Sequence, residues 1–350
     1  MDFLPSIDTQ DKKFYLGYNN SASNPVYCAV DNNSNGSYEN IYWYDDKQDI
    51  IANATDIDSD GIFDEFKSTT DAIADYPAID VDGKIEQSYQ EGSGDCWILG
   101  TLNSLSYTQD GKKIINDTLE YTETGAILHT HFGDYPISTQ EILVAQRTKI
   151  KDEDGEFHLK YASGDDDILP FEIGIEKLRA DILSGKINIS SDNFSSYSNK
   201  IVKDPKNLLS SGFSGELIYY LTGDRPFISN SKIINSAVLN EIYKNPQNHT
   251  MLQVGFNDDI DINSIDGNKI HFVKNHAYAL KNVNKDTVTL VNPYNSDLEL
   301  EINKEDFLNN CKDLTYYDYD KNSNFINGGV DFLNKVLRNV GYFISSIAQN

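Results

Sequence analysis

Apolar positions recur along this chain with two different periods, and the change from one to the other divides it. Ile98, Leu99, Leu102 and Leu105 repeat at the spacing of one helical face, which predicts a buried helix starting near residue 96. Further helical stretches are expected at residues 172–183 and 215–221, with a strand at 126–132 between the first helix and these. After residue 226 the apolar runs shorten and alternate. Strands are expected at residues 250–256, 269–273, 277–281, 287–291 and 298–302. Phe332, Leu333, Val336, Leu337, Val340, Phe343 and Ile344 return to helical spacing and predict a C-terminal helix packed on the core. Before residue 86 the chain is more polar, with aromatic and β-branched runs that predict strands at 40–44 and 62–66. The reading is an α+β protein in four parts. Residues 1–85 form a small β-rich segment, 86–225 a helix-led unit, 226–318 a β-rich unit, and 319–350 a terminal helix.

Within the first part a nine-residue pattern, D-x-[DN]-x-[DN]-G-x-x-[DE], occurs twice at an offset of 25 residues. Asp31, Asn33, Asn35 and Glu39 carry the oxygens of the first copy, and Asp56, Asp58, Asp60 and Asp64 those of the second. The backbone carbonyls of Ser37 and Ile62 would add one ligand each. Hard oxygens at alternate positions around a glycine turn suit Ca²⁺, and calcium is the cation expected there. The position where an EF-hand closes with Glu holds Tyr42 or Lys67, so neither copy is an EF-hand. They look like the short calcium loops found between strands of bacterial extracellular proteins. The bland alternative is a polar turn built on Asp, Asn and Gly chemistry.

Composition narrows the function classes. The 350 residues carry a net charge of −26, which repels nucleic acid and anionic membranes. Hydrophobic residues make up 39%, with 22 Tyr and 16 Phe, enough for a real core. The N-terminus has no basic region followed by an apolar run, and no stretch is apolar enough to span a membrane. A protein that stays in the cell, one exported without a cleaved leader, and one whose signal lies outside this sequence all fit; the calcium loops lean extracellular. Cys28, Cys96 and Cys311 form no C-x-x-C pair, which excludes the common zinc and thioredoxin patterns. Cys28 and Cys311 read better as two inert buried thiols than as a bridge. His129 and His131 read as ordinary strand histidines, and Asp165 to Asp167 as a cap for the helix that follows.

Cys96 is different. It opens the predicted buried helix and is approached through Gly92 and Gly94. The first turn of a helix offers unpaired N–H groups and partial positive charge, which favour thiolate over thiol and can also hold an oxyanion. A base and an orienting group are available downstream. His276 starts one predicted strand and Asn292, followed by Pro293, ends the next. The Asn carbonyl is expected to take the Nδ1–H of His276 and leave Nε2 for the thiol.

At these residues the sequence resembles the calpain family of cysteine proteases, whose motifs run Q-G-x-x-G-D-C-W, then G-H-A-Y, then N-P-W. Here they stand as Gln90-Glu91-Gly92-Ser93-Gly94-Asp95-Cys96-Trp97, Asn275-His276-Ala277-Tyr278 and Asn292-Pro293-Tyr294. Weaker likenesses lie in residues 168–178 and 211–223, and the whole covers about residues 80–318. The departures are Glu91 for the family's Gly, Asn275 for the Gly before the His, and Tyr294 for the Trp after Asn-Pro. The resemblance implies a papain-like core of two subdomains, with the Cys in the helical one and the His and Asn in the β-rich one. It implies Cys96 as nucleophile, His276 as general base and acid, Asn292 as orienter and Gln90 as oxyanion donor. No calmodulin-like domain is recognisable. The expected activity is cysteine endopeptidase hydrolysis of protein or peptide substrates through a thioacyl enzyme, influenced by calcium and needing no cofactor for the chemistry. The alternatives are a transglutaminase-type acyl transferase on the same triad and a non-enzymatic calcium-dependent binding module.

Overall fold

The structure is a computed structural model that describes residues 14–18, 25–31, 38–45, 50–57, 63–68, 84–122, 125–146, 148–151, 157–189, 207–247 and 249–319. It is a mixed α+β fold. The C-terminal helix expected over residues 331–344 lies outside the described residues.

The first part is an antiparallel meander of five strands, β1 (Phe14–Tyr18), β2 (Pro25–Val30), β3 (Asn40–Tyr44), β4 (Ile50–Thr55) and β5 (Glu65–Ser68), paired in chain order. Alternation gives it one packed face, where Cys28, Tyr42, Tyr44 and Ile50 meet. In a meander the β2–β3 and β4–β5 connections fall at the same end. The two nine-residue repeats are those connections, joined by Asp56 N–H donating to the Glu39 carbonyl at 2.8 Å.

Two larger cores follow. The helix-led core is built around α1 (Cys96–Ser106), α2 (Gln109–Thr118), α4 (Ile168–Leu183) and α5 (Glu216–Thr222). A three-stranded sheet of β7 (Leu119–Thr122), β8 (Gly125–Thr130) and β9 (Gly133–Ser138) packs on it. After β9, Ser138 and Glu141 close a reciprocal capping box at the start of α3 (Thr139–Ala145). Short strands complete this half. The Ser88–Tyr89 strand β6 pairs with β12 (Ser163–Gly164), and β10 (Lys149–Lys151) pairs with β11 (Phe157–Leu159).

The other half is a six-stranded antiparallel sheet in the order β13-β20-β14-β17-β18-β19. Its strands are β13 (Phe227–Ser229), β14 (Met251–Phe256), β17 (Ala277–Val283), β18 (Thr287–Asn292), β19 (Asn295–Asn303) and β20 (Cys311–Tyr317). Hairpin β15 (Ile260–Asn263) and β16 (Lys269–Phe272) stands beside it. Every residue of β14 is buried because both faces are covered. Leu252, Val254 and Phe256 join the core formed with α6 (Lys232–Lys244) and α7 (Lys304–Asn310). On the other face Gln253 meets α1. Its amide is satisfied there, Nε2 donating to the Trp97 carbonyl at 3.0 Å and Oε1 accepting from Gly215 N–H at 3.1 Å. No described helix is long and apolar enough to cross a membrane.

Candidate active site

The site lies where the first turn of α1 faces one end of the β17–β18 hairpin. Hairpin register explains why two residues sixteen apart in sequence meet. Ala279 pairs with Val291 and Leu280 with Leu290, so His276, just before β17, and Asn292, the last residue of β18, fall at the same end. Asn292 and Asn295 then pair across a tight turn that contains Pro293 and Tyr294.

His276 is 4% exposed, and its Nε2 lies 2.8 Å from Asn292 Oδ1. That oxygen also accepts the backbone N–H of Tyr294 at 3.0 Å, which fixes it as the acceptor and makes Nε2 the protonated ring nitrogen. Nδ1 is therefore the free base. The expectation that Nδ1 would face the Asn is reversed. Its physical reason is the chain path, in which the Asn-Pro-Tyr turn presents the carbonyl to the far nitrogen of the ring. Tyr294 stacks on the imidazole with centroids 4.4 Å apart and planes 12° from parallel, and Tyr278 meets it edge-on at 4.9 Å. A tyrosine thus covers the His–Asn hydrogen bond. Burial lowers the His276 pKa to about 4, against the opposing effect of Asn292.

Asn275 precedes the histidine with φ of +55°. This left-handed conformation is open to Gly and tolerated by Asn, which accounts for the residue found there. Asn275→Gly should leave stability within about 0.5 kcal/mol, whereas Asn275→Val should lower it by about 1–3 kcal/mol and disturb the adjacent histidine. Urea denaturation of the two variants beside wild type measures this.

Cys96 begins α1 as expected, with Asp95 at the N-cap position. The Asp95 carbonyl accepts Ile98 N–H at 2.8 Å and Leu99 N–H at 3.2 Å. The helix start is opposed by desolvation of the thiol. Burial raises its pKa to about 11, outweighing hydrogen bonds from the backbone of Ala277, Trp97 and Cys96 itself. The negative Asp95 also works against ionisation. Desolvation thus opposes the thiolate that the helix terminus favours. Among the described residues the thiol and the His276 ring share no hydrogen bond. The backbone of Ala277, the residue next to His276, favours the charged thiol, and that charge would be felt by Tyr278 and Tyr294. Burial thus works against charge on both the thiol and the imidazole, with Cys96 beside the histidine's own chain segment.

Gln90 sits on the same side. Its backbone N–H donates to the Pro293 carbonyl at 2.8 Å, which ties the segment before the helix to the Asn292 turn. Its side-chain Oε1 is buried with no hydrogen-bond donor among the described residues. Gly94 has φ of +66°, and Gly92 donates to the Leu159 carbonyl at 2.8 Å, so both glycines shape the approach to Cys96. On the far side of α1, Trp97 donates Nε1–H to the Leu209 carbonyl at 2.8 Å and lies under the Arg179 guanidinium, 4.4 Å from its ring centroid. A Cβ at Gly212 would come within 2.0 Å of the indole, so only glycine fits there.

The residues named as metal ligands are described in part. Asp31, Glu39 and Asp56 are buried, while Asp64 is exposed and accepts Ile57 N–H at 2.8 Å. Asn33, Asn35, Ser37, Asp58, Asp60 and Ile62 lie outside the described residues. Among the described residues no group of three His, Cys, Asp or Glu is placed to hold a metal ion. His129 lies between Asp134 and Glu120, at 2.8 and 3.0 Å, in an ion-pair network on a sheet. Asp167 does not cap α4 with its side chain; Lys84 N–H and Tyr121 O–H take its oxygens instead.

The sequence reading missed the Tyr294 stack and the buried acid Glu172, which faces Asp95. A lone Glu in the apolar run Phe171-Glu172-Ile173-Gly174-Ile175 was its signal. Compared with known proteins, the chain matches no family model and no curated protein sequence.

Proposed function

We propose that the protein is a cysteine endopeptidase with a papain-like core of calpain type, cutting protein or peptide substrates through a thioacyl enzyme. The observation that carries this reading is the His276–Asn292 pair, covered by Tyr294 and preceding Ala277, whose backbone acts on the Cys96 thiol. The Nδ1 lone pair of His276 takes the thiol proton as sulfur attacks the peptide carbonyl. Charge on that oxygen is met by the Cys96 N–H at the helix start and by the Gln90 side-chain amide. The imidazolium, steadied by Asn292, returns its proton to the leaving amine. Water then attacks the thioester with His276 again as base.

Casein incubated with the full chain tests the reading. Cleavage that is lost in Cys96→Ala supports it. Incorporation of an amine without new peptide termini would instead mark an acyl transferase. Partner binding without either product would mark a binding module. Within this mechanism Asn292→Ala should cost less than His276→Ala, because the Asn orients a ring that the His uses to move the proton. Roughly 10–10²-fold in kcat/KM is expected for the Asn and 10³-fold or more for the His. A reversed order in steady-state assays would overturn the assignment of roles.

Calcium binding by the paired β2–β3 and β4–β5 loops belongs to the same proposal. Its support is the ligand spacing and the charge of −26, which a bound cation reduces. Isothermal calorimetry on the full chain should show binding at about 10⁻⁴–10⁻³ M, lost in Asp58→Ala and Asp60→Ala. No heat at millimolar calcium would leave two acidic turns.

A further inference from the structure

Asp95 and Glu172 meet in the interior behind the first turn of α1. Both residues are 0% exposed, and each carboxyl group lies within reach of the other's charge. Glu172 comes from the first part of α4, and its two oxygens receive the Ala162 N–H at 3.2 and 3.0 Å. Asp95 directly precedes Cys96, yet its side chain does not cap the helix it opens. Both of its oxygens are buried, and among the described residues no amide or hydroxyl hydrogen reaches either one.

Two ionised carboxylates side by side have no hydrogen to share, and they repel strongly in a poorly screening interior. One proton held between them supplies the donor that Asp95 otherwise lacks and removes half the buried charge. The surroundings push the same way. Burial is the main influence raising both acids, and the charge of Glu91 adds to it at Asp95 and that of Glu176 at Glu172. The nearby cations are committed elsewhere: Lys160 pairs with Glu176 at 2.5 Å, and Arg179 with Glu216 at 2.8 Å. The remaining titratable groups facing the pair are Cys96, Tyr161 and Tyr294.

We propose that Asp95 and Glu172 share a single proton at neutral pH and act as a positioning pair, tying the residue before the nucleophile to α4 and holding the charge behind Cys96 at minus one. The proposal rests on the protease reading only in calling Cys96 the nucleophile. The proton-sharing itself is tested without any activity.

The linkage has a definite sign. In the unfolded chain both acids are ionised above the usual carboxylate range, whereas the folded pair keeps one proton. The pair's contribution to stability is therefore full below that range and declines as pH rises toward the folded pair's own titration. One extra proton in the folded state makes the unfolding constant rise about tenfold per pH unit. Glu172→Gln removes this dependence, since the side-chain amide it introduces can donate to Asp95, still accept from Ala162, and not titrate.

Urea unfolding of full-length wild type and E172Q, at several pH values between about 5.5 and 7.5, is the experiment. His129, His249 and His276, whose pKa values differ between the folded and unfolded chain, are common to both proteins and cancel in the comparison. Wild type is expected to show an additional tenfold rise per pH unit that E172Q lacks. Parallel pH dependences in the two proteins would overturn the proposal. If E172Q does not fold, D95N replaces it, and infrared spectroscopy of wild type gives an independent reading at pH 7. A protonated-carboxyl carbonyl band there supports the shared proton, and its absence refutes it.

Discussion

Cys96→Ala should abolish peptide cleavage, by on the order of 10⁴-fold or more, while leaving the fold unchanged. The side chain is small and opens α1 without capping it, so its loss removes little packing. The nucleophile, by contrast, has no substitute. Cys28 is fully buried in the meander core and Cys311 is buried beneath α6. The three thiols should therefore separate in their chemistry as well. Burial holds the Cys96 thiol at about 11 and pushes that of Cys311 higher still, with the charge of Asp313 adding to the effect. Only Cys96 is partly exposed. Iodoacetamide followed by peptide mass mapping should label Cys96 first, and one equivalent should inactivate the protein. His276→Ala should remove activity to a similar extent, because a thiol this far from ionisation at neutral pH depends on the base. Equal labelling of all three cysteines, with full cleavage by Cys96→Ala, would remove the nucleophile from the mechanism.

Much of this site could be read before the fold was known, for identifiable reasons. The helix at Cys96 and the strands around His276 and Asn292 are buried elements, and burial writes a strong apolar period into the sequence. Expected strand 287–291 and observed Thr287–Asn292 nearly coincide. Helix α6 was hidden in a region read as strands. Its buried stripe of Asn235, Val238, Leu239 and Ile242 has helical spacing, but it begins on a polar residue. The helices Thr139–Ala145 and Lys304–Asn310 are two turns long and were below the resolving power of any periodicity.

The electrostatic details were less legible. Which imidazole nitrogen faces Asn292 depends on the path of a three-residue turn. Whether Cys96 ionises depends on how much water reaches it, and desolvation is a property of the packed interior, not of the local segment. The same is true of Asp95. Only packing against α4 gives it an acid as neighbour.

Arg179→Met should be the most destabilising single substitution of those considered, at about 3–5 kcal/mol. Arg179 and Glu216 are an ion pair with side chains 0% and 3% exposed. The guanidinium also donates to the carbonyls of Leu208 at 2.6 Å and Ser210 at 3.3 Å. Glu216 is held further by Phe213 N–H at 2.9 Å and by the Tyr220 hydroxyl. Removing the cation leaves a buried carboxylate and two buried carbonyls without their charged donor, whereas Met recovers only the apolar contact with Trp97. A change of that size is a third or more of the stability of many domains. It should also reach the active site, because the loop that Arg179 anchors holds the approach to Cys96. Asn207 donates to the Ser93 carbonyl at 3.1 Å, and Ser211 N–H to that of Gly94 at 3.4 Å. The expected outcome is a large fall in the urea midpoint, together with reduced casein cleavage at temperatures where the variant remains folded. Glu216→Gln in the Arg179→Met background should recover part of the stability by removing the stranded charge. An Arg179→Met protein within 1 kcal/mol of wild type, to take a bound well below the roughly 3 kcal/mol expected, would show that this buried pair does not hold the loop in place.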